Sequence, residues 1–134
     1  EAATADKVIC GEQQPESDHF IRSEQSLNGS HNDRHWRDAT GKGWFSYRMK
    51  TNGRDVSRLR VEYEGGMADT DALVMVEERT VGMLSPVDGR GMKTAYFDLP
   101  DEMDGKDVLT VKITPSEKKA TPRVYEVRLM TAKK

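Results

Sequence analysis

A single cysteine, Cys10, stands in this chain of 134 residues, so no internal disulfide can staple the fold and cysteine usage assigns no redox compartment. A lone thiol of this kind is expected to fill a small apolar niche. Long apolar runs are missing too: no stretch of 18 residues or more could cross a bilayer as a helix, and "EAATADKVIC" lacks the basic and apolar pattern of an export signal. Charge of either sign has no surplus. Twenty-one Lys and Arg meet 23 Asp and Glu, for a net charge of -2 and a pI near 6.0, which leaves no global field to draw in nucleic acid or an anionic membrane. Neither is expected as a partner. A sustained 3.6-residue apolar stripe is absent, and "PDEMDGK" offers one helical turn at most before Gly105.

Alternation of period two is present, and it marks half-buried strands. In "WFSYRMK", Phe45, Tyr47 and Met49 share one face, while Trp44, Ser46 and Arg48 share the other. Leu59, Val61 and Tyr63 alternate with Arg58, Arg60 and Glu62. The Asn-Gly pair in "TNGRDV" predicts a tight hairpin joining these two segments as an antiparallel pair. "DALVMVEERTVGML" reads as a central strand, a turn near Glu78 and a short return strand. "MKTAYFDLP", "DVLTVKITP" and "RVYEVRLM" supply three more alternating segments. Six or seven short strands between Gly, Pro, Asn and Asp turns predict an all-β fold, an antiparallel β-sandwich whose spacing allows jelly-roll connections.

The chain is read as one domain over 1–134, with the main strands in 44–134. Residues 1–43 are expected to be a polar crossing packed on them, with short strands near Lys7–Ile9 and Phe20–Ser26.

Catalytic motifs are scarce. "HNDRH" has a four-residue histidine spacing, but Asn32 stands where a zinc protease needs Glu, and "LNGS" argues against a helix. "DTD" at 69–71 could lend ligands to a structural calcium but lacks the rest of a loop in sequence order. No cofactor is expected. There is no phosphate-cradling glycine loop and no nucleophile elbow, and "NGS" at 28–30 matches a glycosylation acceptor that counts only in a eukaryotic secretory setting.

What stands out is "RHWRDATGKGWFSYRM", Arg34 to Met49, which holds four of the nine aromatic residues. Arg34, His35, Trp36, Arg37 and Asp38 bring guanidinium forks, an indole and a carboxylate together, and Trp44 follows. An aromatic ring can pack on the apolar face of a sugar while Arg and Asp satisfy its hydroxyls. The same residues can also build a structural corner or dock a neighbouring domain. A third option, a small enzyme, would use Asp38 and His35 as acid and base.

The blocks "ICGEQQPESDHF", "RHWRDATGKGWFSYRM", "LRVEYEGG" and "VYEVRLM" resemble the C-terminal β-sandwich region of glycoside hydrolase family 127-type bacterial proteins, the β-L-arabinofuranosidase-like enzymes, over residues 7 to 130. The resemblance implies a jelly-roll sandwich of galactose-binding-like architecture, a non-catalytic module cut from a longer enzyme whose cysteine nucleophile and zinc-thiolate centre belong to a separate helical barrel upstream. Cys10 has no such role. The implied partners are the catalytic domain of the parent chain and an oligosaccharide or polysaccharide, and the implied location is periplasmic or secreted. An autonomous carbohydrate-binding module for plant or host glycans is the alternative. Glu64 stands where relatives often carry an aromatic, which sets its loop apart from sugar contact.

Overall fold

The computed structural model describes residues 4–31, 33–85, 89–103 and 105–131. Among these residues nine antiparallel strands follow one another: β1 (Thr4–Ile9), β2 (Arg22–His31), β3 (Arg34–Lys50), β4 (Val56–Gly65), β5 (Ala72–Val76), β6 (Arg79–Leu84), β7 (Gly91–Asp98), β8 (Val108–Thr114) and β9 (Val124–Thr131). A six-residue helix, α1 (Gln13–Asp18), lies between β1 and β2, and a 3-10 turn covers Asp101–Met103.

The hydrogen-bonded path runs β6-β5-β8-β3-β9-β4-β7, with β1 on β9 and β2 on β3. One layer is therefore β6-β5-β8-β3-β2 and the other is β1-β9-β4-β7. The 17 residues of β3 connect them: its C-terminal half pairs with β8 from Phe45 to Lys50, and near its start Arg37 pairs with Val124 of β9. At the other rim β6 and β7 close together, where a side chain on Gly82 would reach within 2.1 Å of the Phe97 ring. The chain changes layer repeatedly between β3 and β9, as a jelly-roll does.

The alternation read from the sequence sets the faces. Phe45, Tyr47, Met49, Leu59, Val61, Tyr63, Ala72, Val74, Val76, Leu109, Val111, Ile113, Val127 and Leu129 fill the core between the layers. Each Val, Leu, Ile, Phe or Met side chain among them stabilises the fold by about 1.5–3 kcal/mol when fully buried. Cys10 is buried among them, and burial pushes its thiol up to about 12.

Two expectations are corrected. β3 and β4 do not pair: β3 joins β8 and β4 joins β7 and β9, so the Asn52-Gly53 turn carries the chain from one layer to the other. Both strands have an apolar face, and those faces meet across the core rather than edge to edge. Thr51 anchors the crossing through its N–H to the Asp107 carbonyl and its hydroxyl to that of Lys106. The polar segment before residue 44 has the expected strand at Lys7–Ile9, within β1, but more strand beyond it than the short piece expected near Phe20–Ser26. β2 pairs with β3 from Arg22–Ser46 to His31–Arg34, interrupted where residues 40–43 loop out opposite Gln25.

Helix α1 is held by chemistry rather than by an apolar stripe. Glu16, 3% exposed, accepts two hydrogen bonds from Arg37 at 2.7 and 2.9 Å and one from the Tyr47 hydroxyl at 2.6 Å. Burial alone would raise the Glu16 pKa; the Arg37 and Tyr47 bonds outweigh it and hold the carboxyl below its usual range.

Candidate functional site

Strand parity distributes the sequence-predicted residues. Arg37 points inward with Ala39, Phe45 and Tyr47, while Arg34, Trp36, Asp38 and Trp44 have the opposite parity. At the tip of the β2-β3 hairpin Trp36 pairs with Gly29. A Cβ on Gly29 would stand 2.6 Å from the indole, so the ring lies directly on the glycine backbone. The Arg123 guanidinium sits 4.5 Å from the indole centre. Trp36 is thereby a seat for a cation, worth about 0.5–2 kcal/mol. Asp38 is half-buried beside the same pair; burial raises its pKa against the Leu27 N–H and the charges of Arg123 and Arg37.

Arg123 leads into β9, and the next side chain outward is positioned by an irregularity. Glu62 pairs with Glu126 but Tyr63 pairs with Val124, which leaves Tyr125 as an extra residue on β9. Such a bulge re-aims a side chain. The Tyr125 hydroxyl donates to Glu64 at 2.5 Å, and the Gly91 N–H donates to the other carboxylate oxygen at 2.8 Å. Burial, then the bond to Glu64 and its charge, push the Tyr125 phenol up to about 12, so it stays a donor at any physiological pH. Arg34 lies 5.3 Å from the Tyr125 ring centre and bonds Glu62 at 3.3 Å.

Arg34, Glu64, Arg90, Gly91, Met92, Arg123 and Tyr125 line one cleft of about 440 Å³ at the end of the β9-β4-β7 layer. It offers a fixed acceptor in Glu64 and three guanidinium forks. That donor and acceptor set can bind a polyhydroxylated ligand by paired hydrogen bonds.

The remaining predicted residues lie elsewhere. His35 is exposed and lines a groove with Gly11 to Pro15 and Asn28 to Ser30. It differs in parity from Asp38, so the two do not face one substrate as acid and base. Arg37 is committed to Glu16 and to the Ser26 hydroxyl at 2.9 Å. Trp44 is on the outer face of the other layer, 4.8 Å from the Lys112 ammonium, in a cleft of about 360 Å³ with Ser46, Met75, Glu78 and Thr110. No sequence motif singles out Arg90, Arg123 or Tyr125, and Glu64, whose loop the sequence reading sets apart from sugar contact, lines the cleft with them. They come from three strand ends far apart in the chain, with no local motif.

Among the described residues no group of three or more His, Cys, Asp or Glu side chains could hold a metal ion. In "DTD", Asp71 turns inward, and its carboxylate accepts bonds from the N–H groups of Ser116, Glu117 and Lys118. Burial would raise its pKa, but these three bonds hold it below the usual carboxylate value. No helix among the described residues is long and apolar enough to cross a membrane.

A sequence model of the family described as "Family of unknown function (DUF6805)" matches residues 1–130. The chain belongs to the DUF6805 family. No curated protein matches the sequence at a significant level. Solved structures similar to this DUF6805 chain include a family 35 carbohydrate-binding module from Clostridium thermocellum, at TM-score 0.62 and 12% identity, covering 94% of this chain and 98% of that one. A family 29 carbohydrate-binding module variant, solved with mannohexaose, gives TM-score 0.62 at 12% identity and covers 96% and 91%. The plant receptor-like kinase ANX1 gives 0.67 at 15% identity, covering 95% of this chain and 42% of that one. At these identities the likeness shows that the DUF6805 chain shares the fold of carbohydrate-binding modules.

Proposed function

We propose that this chain is a carbohydrate-binding module that recognises glycan without cleaving it, at the cleft formed by Arg34, Glu64, Arg90, Arg123 and Tyr125. The observation that carries the reading is the cleft itself: an oriented Tyr125-Glu64 pair and seated guanidinium groups in a space of about 440 Å³, within the range of small-ligand pockets, on a fold shared with modules of that kind. Sugar hydroxyls donate to Glu64 and accept from the arginines.

The test is calorimetric titration of the chain against arabinans, pectins and host glycans, with Arg123→Ala and Trp36→Ala beside it. Saturable binding that Arg123→Ala weakens without lowering the melting temperature supports the cleft. Silence across the panel and toward short oligouronides removes the reading.

The finer reading makes this module an accessory to a family 127-type glycoside hydrolase, periplasmic or secreted where polysaccharide is met. It is supported by the sequence blocks "GEQQPE" and "RHWRDA". Release of L-arabinofuranose by the intact protein that carries this segment tests it, and an intact protein inert toward arabinofuranosides overturns it.

A further inference from the structure

The cleft has more positive charge than a neutral sugar needs. Its lining holds three guanidinium groups and one carboxylate, in a chain whose net charge is -2. Arg34 shares its charge with Glu62 at the rim. Arg123 lies over the Trp36 ring, with half-buried Asp38 nearby, and Arg90 makes no ion pair among the described residues. The cleft on the opposite layer, around Trp44, has one lysine and one glutamate and no such excess.

Resting on the carbohydrate reading above, we propose that this cleft selects a sugar bearing a carboxylate, a uronic acid residue. A carboxylate relieves the mutual repulsion of the arginines and matches the guanidinium fork in a paired geometry. Glu64, whose two oxygens are held by Tyr125 and Gly91, accepts from the ring hydroxyls and disfavours a ligand carrying several negative charges at one point. Trp36 and Tyr125 fix Arg123 and Arg34 before the ligand arrives, so less side-chain freedom is lost on binding.

The experiment titrates the chain with short oligomers of galacturonate, glucuronate, mannuronate and guluronate, each beside its carboxyl-reduced neutral counterpart. At least one acid is expected to bind about 10- to 100-fold more tightly than its reduced form, the range for a hydrogen bond to a charged group. Raising salt from about 20 to about 200 mM is expected to weaken the acid and leave the neutral form unaffected. Arg90→Gln is expected to abolish most of the preference, and Arg22→Gln, at the far end of the β2-β3 hairpin, to leave it intact.

Equal binding of acid and reduced forms overturns the carboxylate assignment and leaves the carbohydrate reading standing. So does binding of neutral glycans with no uronide bound. Silence toward acids, reduced forms, arabinans, pectins and host glycans overturns both.

Discussion

Glu16→Gln is the substitution whose consequence follows most directly from the structure. Glu16 is 3% exposed and its partner side chain on Arg37 is 12% exposed, so the pair sits mostly out of water. Both Glu16 oxygens are used, one by the Arg37 Nη2 and the other by the Arg37 Nε and the Tyr47 hydroxyl. Glutamine removes the negative charge and leaves the Arg37 guanidinium buried without compensation. Breaking a buried pair from one side costs about 3–5 kcal/mol. For a chain of this length that is a fall of roughly 10–20 °C in melting temperature.

Chemical denaturation at neutral pH measures it, with Tyr47→Phe expected to cost about 1.5–3 kcal/mol for one charge-assisted bond. The triple replacement Glu16→Leu, Arg37→Met, Tyr47→Phe is expected to cost less than the sum of its single changes, because no charge is left stranded. The pH dependence has a fixed sign. The folded carboxyl of Glu16 lies below its ordinary value of 4.5, so its contribution is complete above that value and disappears as pH falls through the folded pKa. The gap between the parent chain and Glu16→Gln therefore closes in acid. A cost under about 1 kcal/mol at neutral pH, within the range of an exposed pair, refutes the argument that this cluster pins α1 to β3.

Gly29→Ala puts a methyl 2.6 Å from the Trp36 ring and is expected to cost about 1–3 kcal/mol through overpacking, with a shift in tryptophan emission; unchanged stability and emission would show that Trp36 does not rest on Gly29. The bond to Asp6, working against burial, raises the His19 pKa above 6.5. Its stabilisation is complete below 6.5 and lost as pH rises through the folded value, so a proton NMR titration should give a midpoint above 6.5 that Asp6→Asn brings down. A midpoint indifferent to that change contradicts the pairing. Difference absorbance between the parent chain and Tyr125→Phe should show a phenol that ionises only near pH 12; ionisation of that tyrosine near 10 means the bond to Glu64 does not form in solution.

Most strands from residue 44 onward are legible because one face lies in the core and the other is more exposed, which period-two alternation reports directly; β9 is buried on both faces and still alternates apolar with polar residues. β2 was not. "RSEQSLNGSH" pairs along its length with β3 but lies at an edge of its layer, and most of its side chains are exposed. Its place is set by backbone bonds and by side-chain bonds such as Ser26 Oγ to the Asp38 carbonyl at 2.6 Å. Helix α1 escaped for a related reason, since six residues anchored by one buried carboxylate leave no stripe to read. The pairing of β3 with β4 expected from the Asn-Gly turn does not form, because such a turn fixes local backbone shape and says nothing about which layer the next strand enters. The Tyr125 bulge has no local signature: it exists only as a mismatch of register between β9 and β4.

The gathering of aromatics around Trp36 has a physical explanation that differs from a sugar platform. A ring that stacks on a sugar must present a free face, yet Trp36 bears Arg123, Tyr125 bears Arg34 and Trp44 bears Lys112, with centroid distances of 4.5, 5.3 and 4.8 Å. Arginine on a ring loses rotamer freedom during folding rather than during binding. A guanidinium over an aromatic face also keeps its N–H edge pointing outward, since the ring occupies the face and not the edge. An array of such arginines recognises a ligand by directed hydrogen bonds and charge, with hydrophobic stacking as the smaller part. Removing Trp36 should therefore weaken binding by loosening Arg123, and Arg123→Ala in the Trp36→Ala background should add little further loss. If the two losses instead add in full, the indole touches the ligand by itself, and the seat is a platform after all.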